Sequence, residues 1–464
     1  MAMWKPDLTG REGPKYLQIV EAMAEDIAGG RLPAGTRLLP HRELAYQLDM
    51  SPNTTSRAYA EAVKRALIKG EVGRGTFVRS TDGNLPNEEP QSMVRPERGP
   101  VDLSRNLPLS GFAEHDIRRI LGDIATSTEL PALLDYQTDA HLEKHRNAGK
   151  IWLAENGMDC EPDCIVPVIG GQHGILSALM ALLQPGDLLL TEALTYSPVL
   201  GMAARLGLKT ASVAMDANGI IPDSFEELCR TANPRAFYLT PTLQAPTTVT
   251  LSTSRRAEIG EIARRHDVIV IEDDVFGLLK RDKPKPIAHT APDQTIYVTS
   301  LSKTVAPGLR VGFLAAPKRF VPALHQAINL SVWMTPPATL EIACRLIMDG
   351  TALKLAQMQR QTALRRQQIA CDIVGKAFLE TPGDGFHIWL RLPEGWRADV
   401  FCAECARLGV LINEGRSFAA EAQAAPESIR ICISHELSED RLRQGLEIIA
   451  NVLQMLPCQC SAMI

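Results

Sequence analysis

The run from Ser300 to Gly312 constrains this chain more than any other stretch. It reads Ser-Leu-Ser-Lys-Thr-Val-Ala-Pro-Gly-Leu-Arg-Val-Gly, with Lys303 close to two serines and Arg310 seven residues further on. A lysine that condenses with an aldehyde must be partly deprotonated, and an apolar or cationic environment lowers its pKa. Hydroxyls and a guanidinium also hold a phosphate. The run predicts a lysine that attaches a phosphorylated aldehyde; the alternative is a strand end with a solvated lysine.

The whole run resembles the pyridoxal-phosphate (PLP) lysine motif of fold type I aminotransferases. By this resemblance Lys303 carries the cofactor, and Ser300, Ser302 and Arg310 hold its phosphate. The resemblance implies an α/β body with a mostly parallel central sheet and a smaller C-terminal α+β subdomain. Alternating strand-like and helix-like segments after residue 101 agree with a parallel sheet covered by helices.

Two other segments resemble the family's cofactor site. An apolar stretch, residues 165–169, runs into glycines at a predicted helix start, where backbone N–H groups face an anion. The resemblance assigns the Gly171 and Gln172 amides to the phosphate and Tyr196 to stacking on the pyridine ring. Asp273 ends a buried strand and resembles the carboxylate that keeps the pyridine nitrogen protonated. We expect adjacent Asp274 to be a solvated or capping residue.

Two positions depart from the aminotransferase pattern. Ala245 stands where the family has an asparagine, and Phe276 stands where it has a tyrosine. Both missing groups normally bond the phenolic oxygen of the cofactor, and each loss costs about 0.5–1.5 kcal/mol of positioning. The departures argue against a full transamination cycle and leave at most a weak half-reaction. Thr248 or a water is a substitute donor.

A predicted strand of the smaller subdomain carries the ligand-binding arginine. Arg430 sits where the family binds a substrate carboxylate, in what we expect to be an edge strand. The alternative for Arg430 is a solvated face residue. Tyr136 and Arg146 lie in a stretch similar to the family's entrance segment and are further ligand-pocket candidates.

The first eighty residues predict a DNA-binding head. Apolar residues at helical spacing follow Pro14, a short helix spans residues 41–48, and Ser51-Pro52 opens a helix to about residue 66. Two helices joined by a short turn form a helix-turn-helix, whose second helix enters the major groove. Exposed residues at its start are the candidate DNA readers, namely Ser51, Asn53, Thr54, Thr55 and Arg57. Two short strands around Gly73-Arg74-Gly75 predict a wing. Arg74 would contact a phosphate of the DNA backbone or the minor groove.

This head resembles the winged helix-turn-helix of GntR-type bacterial repressors. Four segments carry the resemblance in order: residues 33–38, 42–45, 51–54 and 73–78. By the resemblance, Arg42 also contacts DNA. A winged helix used only for protein contacts is the alternative. Residues 1–80 hold twelve Lys and Arg against nine Asp and Glu, a charge of +3 within a chain of −5.

Composition sets the remaining expectations. The 464 residues are 45% hydrophobic, which suits a globular chain of two or three domains. We expect residues 1–80 to form the head, 81–100 a flexible linker and 101–464 the aminotransferase-like body. No signal peptide or apolar span is evident, so we expect a cytoplasmic protein without membrane contact. The ten cysteines lack the grouping of a metal site, so no metal is predicted.

Head and body together resemble the MocR-type regulators within the GntR family. This layout implies a PLP-dependent transcriptional regulator that binds double-stranded promoter DNA as a homodimer. It would sense an amino compound bearing an anionic group by external aldimine formation, with its body used for sensing rather than for catalysis. The alternatives are a working aminotransferase with an accessory head and a plain repressor with a vestigial body.

Overall fold

The computed structural model describes residues 4–9, 11, 13–33, 36–65, 67–71, 75–78, 99–109, 111–137, 139–375, 379, 383–421 and 425–455. The chain divides into two compact units, Met1–Glu88 and Glu89–Ile464. Each unit is described by itself.

The described part of the head combines three helices with a small sheet. The helices are α1 (Lys15–Ala28), α2 (His41–Gln47) and α3 (Pro52–Lys64), and the strands are β1 (Arg37–Leu38), β2 (Ile68–Glu71) and β3 (Gly75–Val78). Strands β2 and β3 pair antiparallel as the wing pattern predicts, and β1, which the sequence analysis missed, adds to the other side of β3. Ser51 caps α3 because its Oγ accepts from the Thr54 amide at 3.2 Å.

The prediction that Thr55 faces DNA is wrong. Thr55 is fully buried, and its Oγ1 donates to the His41 carbonyl at 2.7 Å. The side chain lies on the inner face of α3, one residue beyond the exposed first turn, and it ties α3 to the start of α2. Thr55 therefore fixes the angle of the helix-turn-helix instead of reading bases.

A seven-stranded sheet forms the centre of the body. Its strands, in spatial order, are β5 (Ile165–Val168), β13 (Gly312–Ala315), β12 (Thr295–Ser300), β11 (Ile269–Asp273), β10 (Ala236–Leu239), β6 (Leu188–Glu192) and β7 (Lys209–Val213). All neighbours pair parallel except β13, which is antiparallel to both of its neighbours. The mostly parallel sheet of the fold prediction is confirmed.

Helices cover both faces of this sheet. In β10, Ala236 and Tyr238 pack into one buried cluster, whereas Phe237 and Leu239 pack into another, because successive strand residues point to opposite faces. The helices of the body are α4 (Glu114–Thr126), α5 (Leu130–Leu133), α6 (Asp139–Glu155), α7 (Gly170–Leu182), α8 (Ser197–Arg205), α9 (Pro222–Ala232), α10 (Thr253–His266), α11 (Val321–Val332), α12 (Pro337–Met348), α13 (Thr351–Val374), α14 (Ala398–Arg407) and α15 (Glu439–Leu453).

The smaller subdomain contains a three-stranded antiparallel sheet. Its order is β14 (His387–Arg391), β17 (Ser428–Cys432) and β16 (Asn413–Glu414). The strand β4 (Val101–Asp102), near the N-terminal end of the body, pairs parallel with β15 (Val410–Leu411) in this subdomain. A short hairpin, β8 (Met215–Asp216) and β9 (Gly219–Ile220), completes the described strands.

The sheet topology brings the sequence motifs to one edge. Strands β5, β11 and β12 run in the same direction and end at Val168, Asp273 and Ser300. The glycines that open α7, the Asp273 carboxylate and Lys303 therefore follow the carboxyl ends of neighbouring strands. Ligands of open α/β sheets bind at this edge.

The buried Thr55 hydroxyl generates a prediction for the head. Thr55→Val keeps the side-chain volume but leaves the His41 carbonyl without this donor. The free energy of unfolding of the head should therefore fall by about 1–2 kcal/mol. Urea unfolding followed by circular dichroism measures the change. The control is Asn53→Ala in the exposed first turn of α3, which should leave stability unchanged and weaken DNA binding. Equal stability of the wild type and Thr55→Val would show that the hydrogen bond from Thr55 to the His41 carbonyl does not stabilise the head.

Candidate cofactor and ligand site

Lys303 ends a turn that follows β12 directly. Ser300 Oγ accepts from the Ser302 amide at 3.1 Å and so shapes the 3₁₀ turn Leu301–Lys303. The Lys303 Nζ donates to the Asn106 carbonyl at 2.5 Å and lies 5.2 Å from the centre of the Phe276 ring. Burial lowers the pKa of Lys303 to about 8, because a charged amine loses its hydration there. A usable fraction of the amine is therefore neutral near physiological pH.

Asp273 lies on the same sheet edge, with Tyr238 beside it. Burial raises the pKa of Asp273 to about 6, while the hydrogen bond from the Tyr238 hydroxyl, 2.7 Å from Oδ2, works in the opposite direction. The Val275 amide also donates to this carboxylate, at 3.3 Å. Tyr238 was not identified from the sequence; it occupies an ordinary apolar strand pattern, and only the pairing of β10 with β11 places it beside Asp273.

The expectation that Asp274 is solvated is wrong. Its side chain is buried on the other side of the strand end, where Lys283 and the Tyr297 hydroxyl bind Oδ2. Neighbouring carboxylates at the end of β11 therefore have different partners. Asp273 faces the cluster with Lys303, and Asp274 anchors the loop that carries Lys283.

The start of α7 lies close to Arg310. Gly170 has φ of +76°, and a Cβ there would lie 2.9 Å from Arg310 Nη2, while a Cβ on Gly171 would lie 2.7 Å from Val275 Cγ1. Gly170 therefore lets the backbone approach Arg310, and Gly171 lets it approach Val275. The Arg310 Nη2 donates to the Ile169 carbonyl at 3.3 Å. The Ser300 and Ser302 hydroxyls lie 3.0 Å apart on the adjoining turn. Helix amides, a guanidinium and hydroxyls are the groups that hold a phosphate.

Tyr196 immediately precedes α8 and is partly buried. Its hydroxyl lies 3.5 Å from Gln172 Oε1, so the tyrosine contacts the segment that opens α7. Burial raises the pKa of Tyr196 to about 12, which keeps the phenol protonated. The structure thus brings Tyr196 and Gln172 together, and stacking on a pyridine ring stays a prediction.

Arg430 lies in β17, the middle strand of its sheet, so the expectation of an edge strand is wrong. Its Nη2 donates to the Ser104 carbonyl at 2.9 Å and to Asn413 Oδ1 at 3.2 Å, and its guanidinium carbon lies 4.4 Å from the centre of the Phe418 ring. These contacts hold the guanidinium in one orientation. Arg430 contributes to lowering the pKa of Lys303, which places both cations in one electrostatic environment.

Two polar residues near Lys303 and Arg430 were missed by the sequence analysis. His387 in β14 is buried, and its ring lies between Asn106 Nδ2 at 3.0 Å and the Gln244 carbonyl at 3.3 Å. A histidine inside an apolar alternating strand was a usable signal. Asn106 gave no local signal, because it stands in an irregular segment whose position depends on the β4–β15 pairing.

Tyr136 is not brought into contact with Lys303 or Arg430 in the described chain. It is 73% exposed and packs edge-on against Trp333, with ring centres 5.9 Å apart. Arg146 lies within α6 and is partly buried. Their assignment to the ligand pocket has no support from this arrangement.

Ala245 and Phe276 lie in an apolar cluster close to the lysine. Both are 5% exposed and pack with Leu243, Leu279, Ala363 and Phe386. The Thr248 hydroxyl, a candidate substitute donor, donates to the Thr247 carbonyl at 2.6 Å. This side of the site is therefore apolar where a hydrogen-bonding pair was expected of an aminotransferase.

The head presents the remaining predicted DNA residues on its surface. Arg42, Ser51, Asn53 and Arg57 are exposed, and Thr54 is partly exposed. The Arg57 guanidinium carbon stacks 4.1 Å from the centre of the Tyr16 ring, which steadies it beside the first turns of α3. Arg74 lies outside the described residues. DNA contact by each of these residues stays a prediction.

The described residues contain neither a metal-ligand cluster nor a membrane-spanning helix. Within the described ranges, no group of three or more His, Cys, Asp and Glu side chains is placed to hold a metal ion. None of the helices in the described residues is both long and apolar enough to cross a bilayer.

Comparisons with known proteins agree with this architecture. Residues 101–449 match the family "Aminotransferase class I and II", and residues 15–78 match "Bacterial regulatory proteins, gntR family". The HTH-type transcriptional regulator YdeF of Bacillus subtilis is 28% identical, with 98% of this chain and 97% of the relative covered. The vitamin B6 salvage pathway transcriptional repressor PtsJ of Salmonella typhimurium is 27% identical, with 91% of this chain and 95% of the relative covered.

A solved structure shows the same fold. Pyrococcus horikoshii kynurenine aminotransferase aligns with a TM-score of 0.70 at 23% identity, covering 77% of this chain and 91% of the other. The chain therefore belongs to the aminotransferase class I and II family and joins a fold type I body to a GntR-type DNA-binding head. This two-part layout is the one that its motifs predicted, and the two relatives are named as transcriptional regulators.

Tyr238 in β10 and Tyr297 in β12, which donate to the neighbouring carboxylates Asp273 and Asp274, give a matched prediction. Tyr238→Phe removes a donor to Asp273, so the pKa of Asp273 should rise and PLP should bind roughly two- to tenfold more weakly at neutral pH. Tyr297→Phe removes the equivalent donor to Asp274 and should leave PLP affinity unchanged while lowering stability. Quenching of protein fluorescence by PLP measures both variants. Equal PLP affinity in the wild type and Tyr238→Phe would refute the role of Tyr238.

Proposed function

We propose that this protein is a PLP-dependent, ligand-responsive regulator of transcription that acts in the cytoplasm. Its ligand is an amino compound with an anionic group. The observation that carries the proposal is the shared site of a buried lysine with a pKa of about 8 and an arginine with a fixed orientation, in a chain that also has a GntR-type head. The relative PtsJ is named as a repressor of vitamin B6 salvage, which supports PLP as the cofactor.

The residues present fit PLP. The start of α7, Ser300, Ser302 and Arg310 would hold the phosphate, as their grouping around Gly170 and Gly171 indicates. Asp273 would face the pyridine nitrogen, Tyr196 would stack on the ring, and Lys303 would attach the cofactor. When bound, PLP supplies an aldehyde that reacts with primary amines and a ring that withdraws electrons.

Three side chains of the site would each have one role in sensing. Lys303 offers a neutral amine because burial disfavours its protonated form. Asp273 would pair with a protonated ring nitrogen as a carboxylate, the form that the hydrogen bond from the Tyr238 hydroxyl favours. Arg430 selects an anionic group through a guanidinium that Ser104 and Asn413 already orient.

Sensing rather than catalysis is supported by the apolar cluster around Phe276. A catalyst that transfers protons between carbons benefits from polar groups that tune the cofactor, and Ala245 and Phe276 supply none. A weak half-reaction is compatible with this site. Sustained turnover of an amino donor with a keto acid would favour the alternative of a working aminotransferase.

A segment we name the strap, residues 99–109, connects the site to the linker along the chain. Its Ser104 carbonyl accepts from Arg430, and its Asn106 carbonyl accepts from Lys303. The Leu103 carbonyl accepts from the Cys432 amide at 2.7 Å, beside the pairing of β4 with β15. Because the strap overlaps the last two residues of the predicted linker (81–100), ligand binding at Lys303 and Arg430 would alter the segment that leads to the head.

We expect ligand-dependent DNA binding to require Lys303. The protein is expected to have two arrangements of its heads, and a ligand that binds one of them more tightly by a few kcal/mol of binding free energy raises its population. This changes the fraction of the protein that can bind DNA. Fluorescence anisotropy with a DNA fragment selected by the protein, titrated with amino acids and aminosulfonates, measures this shift. At least one amine should change the DNA affinity roughly three- to thirtyfold in the PLP-loaded wild type.

Two variants control that experiment. Lys303→Ala should bind DNA but ignore every amine, whereas Lys318→Ala, which removes an exposed lysine paired with Asp163, should respond as the wild type does. An undiminished response in Lys303→Ala would contradict the proposed function.

The homodimer is proposed from a patch of exposed apolar side chains. Tyr136 and Trp333 pack together, and Leu134 and Leu330, which lie two and three residues from them along the chain, are 76% and 75% exposed. Soluble proteins seldom leave several large apolar side chains exposed together, so the patch fits a second copy of the chain. The exposed position of Tyr136 suits this interface.

Leu330→Glu should shift the protein from dimer to monomer, because it places a charge in the patch. Sedimentation at micromolar concentration measures the change. The control Leu364→Glu adds the same charge on α13, at a side chain that is 45% exposed and lies outside the patch, and it should stay dimeric. A dimeric Leu330→Glu would rule out this interface.

A further inference from the structure

The hydrogen bonds of His387 determine how Asn106 is oriented. The His387 Nε2 lies 3.3 Å from the Gln244 carbonyl, which can only accept, so Nε2 carries the proton. Burial, with the nearby Arg430 cation, lowers the pKa of His387 to about 3, so the ring is neutral and Nδ1 is an acceptor. The group 3.0 Å from Nδ1 must therefore be a donor, which is the Asn106 amide nitrogen.

This orientation leaves the Asn106 side-chain oxygen without a partner. Asn106 Oδ1 is buried and makes no hydrogen bond to any described residue. A buried acceptor without a partner costs about 1–3 kcal/mol. The oxygen cannot exchange places with the nitrogen, because rotation of the amide would set two acceptors, Oδ1 and Nδ1, against each other.

The strap contacts both cations of the site within three residues, Ser104 to Asn106. The Asn106 carbonyl accepts from Lys303, and the carbonyl of Ser104, two residues earlier in the strap, accepts from Arg430. A ligand whose amine is directed to Lys303 and whose anion is directed to Arg430 would lie along this part of the strap, next to Asn106.

We infer that Asn106 is a specificity-determining residue that selects ligands with a hydroxyl on the carbon chain between the amine and the anionic group. This inference rests on the proposed function and narrows its ligand class. The hydroxyl donates to Asn106 Oδ1, and His387 is the positioning residue that keeps this oxygen turned away from its own ring.

The test uses pairs of amino acids that differ by one hydroxyl. The pairs are β-alanine with 3-amino-2-hydroxypropanoate, and 4-aminobutanoate with 4-amino-3-hydroxybutanoate. Isothermal titration calorimetry of the full-length, PLP-loaded protein gives a dissociation constant for each compound. For at least one pair, the hydroxylated member should bind the wild type roughly three- to tenfold more tightly.

Three variants separate selection from general damage to the site. In Asn106→Ala the two members of that pair should bind equally, because the acceptor is gone. In His387→Phe the preference should also disappear although Asn106 is present. In Asn413→Ala, which alters only the support of Arg430, both members should bind more weakly and the preference should persist.

A spectroscopic measurement checks the role of His387 independently of ligands. In ¹⁵N-histidine-labelled protein, the signals lost in His387→Phe should be those of a neutral ring protonated on Nε2. A ring protonated on Nδ1 would overturn the orientation of Asn106.

The outcomes distinguish this inference from the proposed function. Equal binding of both members to the wild type, as expected where Oδ1 holds only a water, overturns the inference and leaves amine sensing intact. A preference that survives Asn106→Ala overturns it as well. Absence of heat with every compound, while PLP stays attached to Lys303, contradicts the proposed ligand class and the inference with it.

Discussion

The contact between the Lys303 amine and the Asn106 carbonyl joins the chemistry of the site to the chain that leads out of it. Burial of the amine lowers its pKa to about 8, and the carbonyl 2.5 Å away is its closest hydrogen-bond acceptor. Because that acceptor is backbone, any change at Nζ acts on the main chain of the strap. A side-chain acceptor would absorb the same change by rotating.

The strap has several such backbone contacts, and they involve both Lys303 and Arg430. Arg430 binds the Ser104 carbonyl, and Ser434 Oγ donates to the Leu107 carbonyl. Gln359 of α13 donates to the Leu109 carbonyl at 2.6 Å. The strap is therefore held by the smaller subdomain, by the lysine turn and by α13. In the proposed function, a change in any of these elements would act on this one continuous segment.

The sequence was sufficient for the parts of the protein that depend on local chemistry. The glycines that open α7, the Ser51 cap and the wing pattern are local, and the structure has the predicted helix starts and wing strands. The errors arose where burial depends on distant strands. Thr55 and Asp274 were expected at the surface and are buried, and Arg430 was expected at a sheet edge that β16 covers. Tyr238, His387 and Asn106 acquire their importance only when β10, β14 and the strap meet Lys303 and Asp273 in three dimensions.

The most direct measurement is to locate the attached cofactor. The full-length protein is incubated with PLP, reduced with borohydride, digested and mapped by mass spectrometry across a range of pH. The account predicts a pyridoxyl label at Lys303, with a labelling rate that rises with pH through about 8 as the amine loses its proton. A label spread over exposed lysines, with none at Lys303, would contradict it.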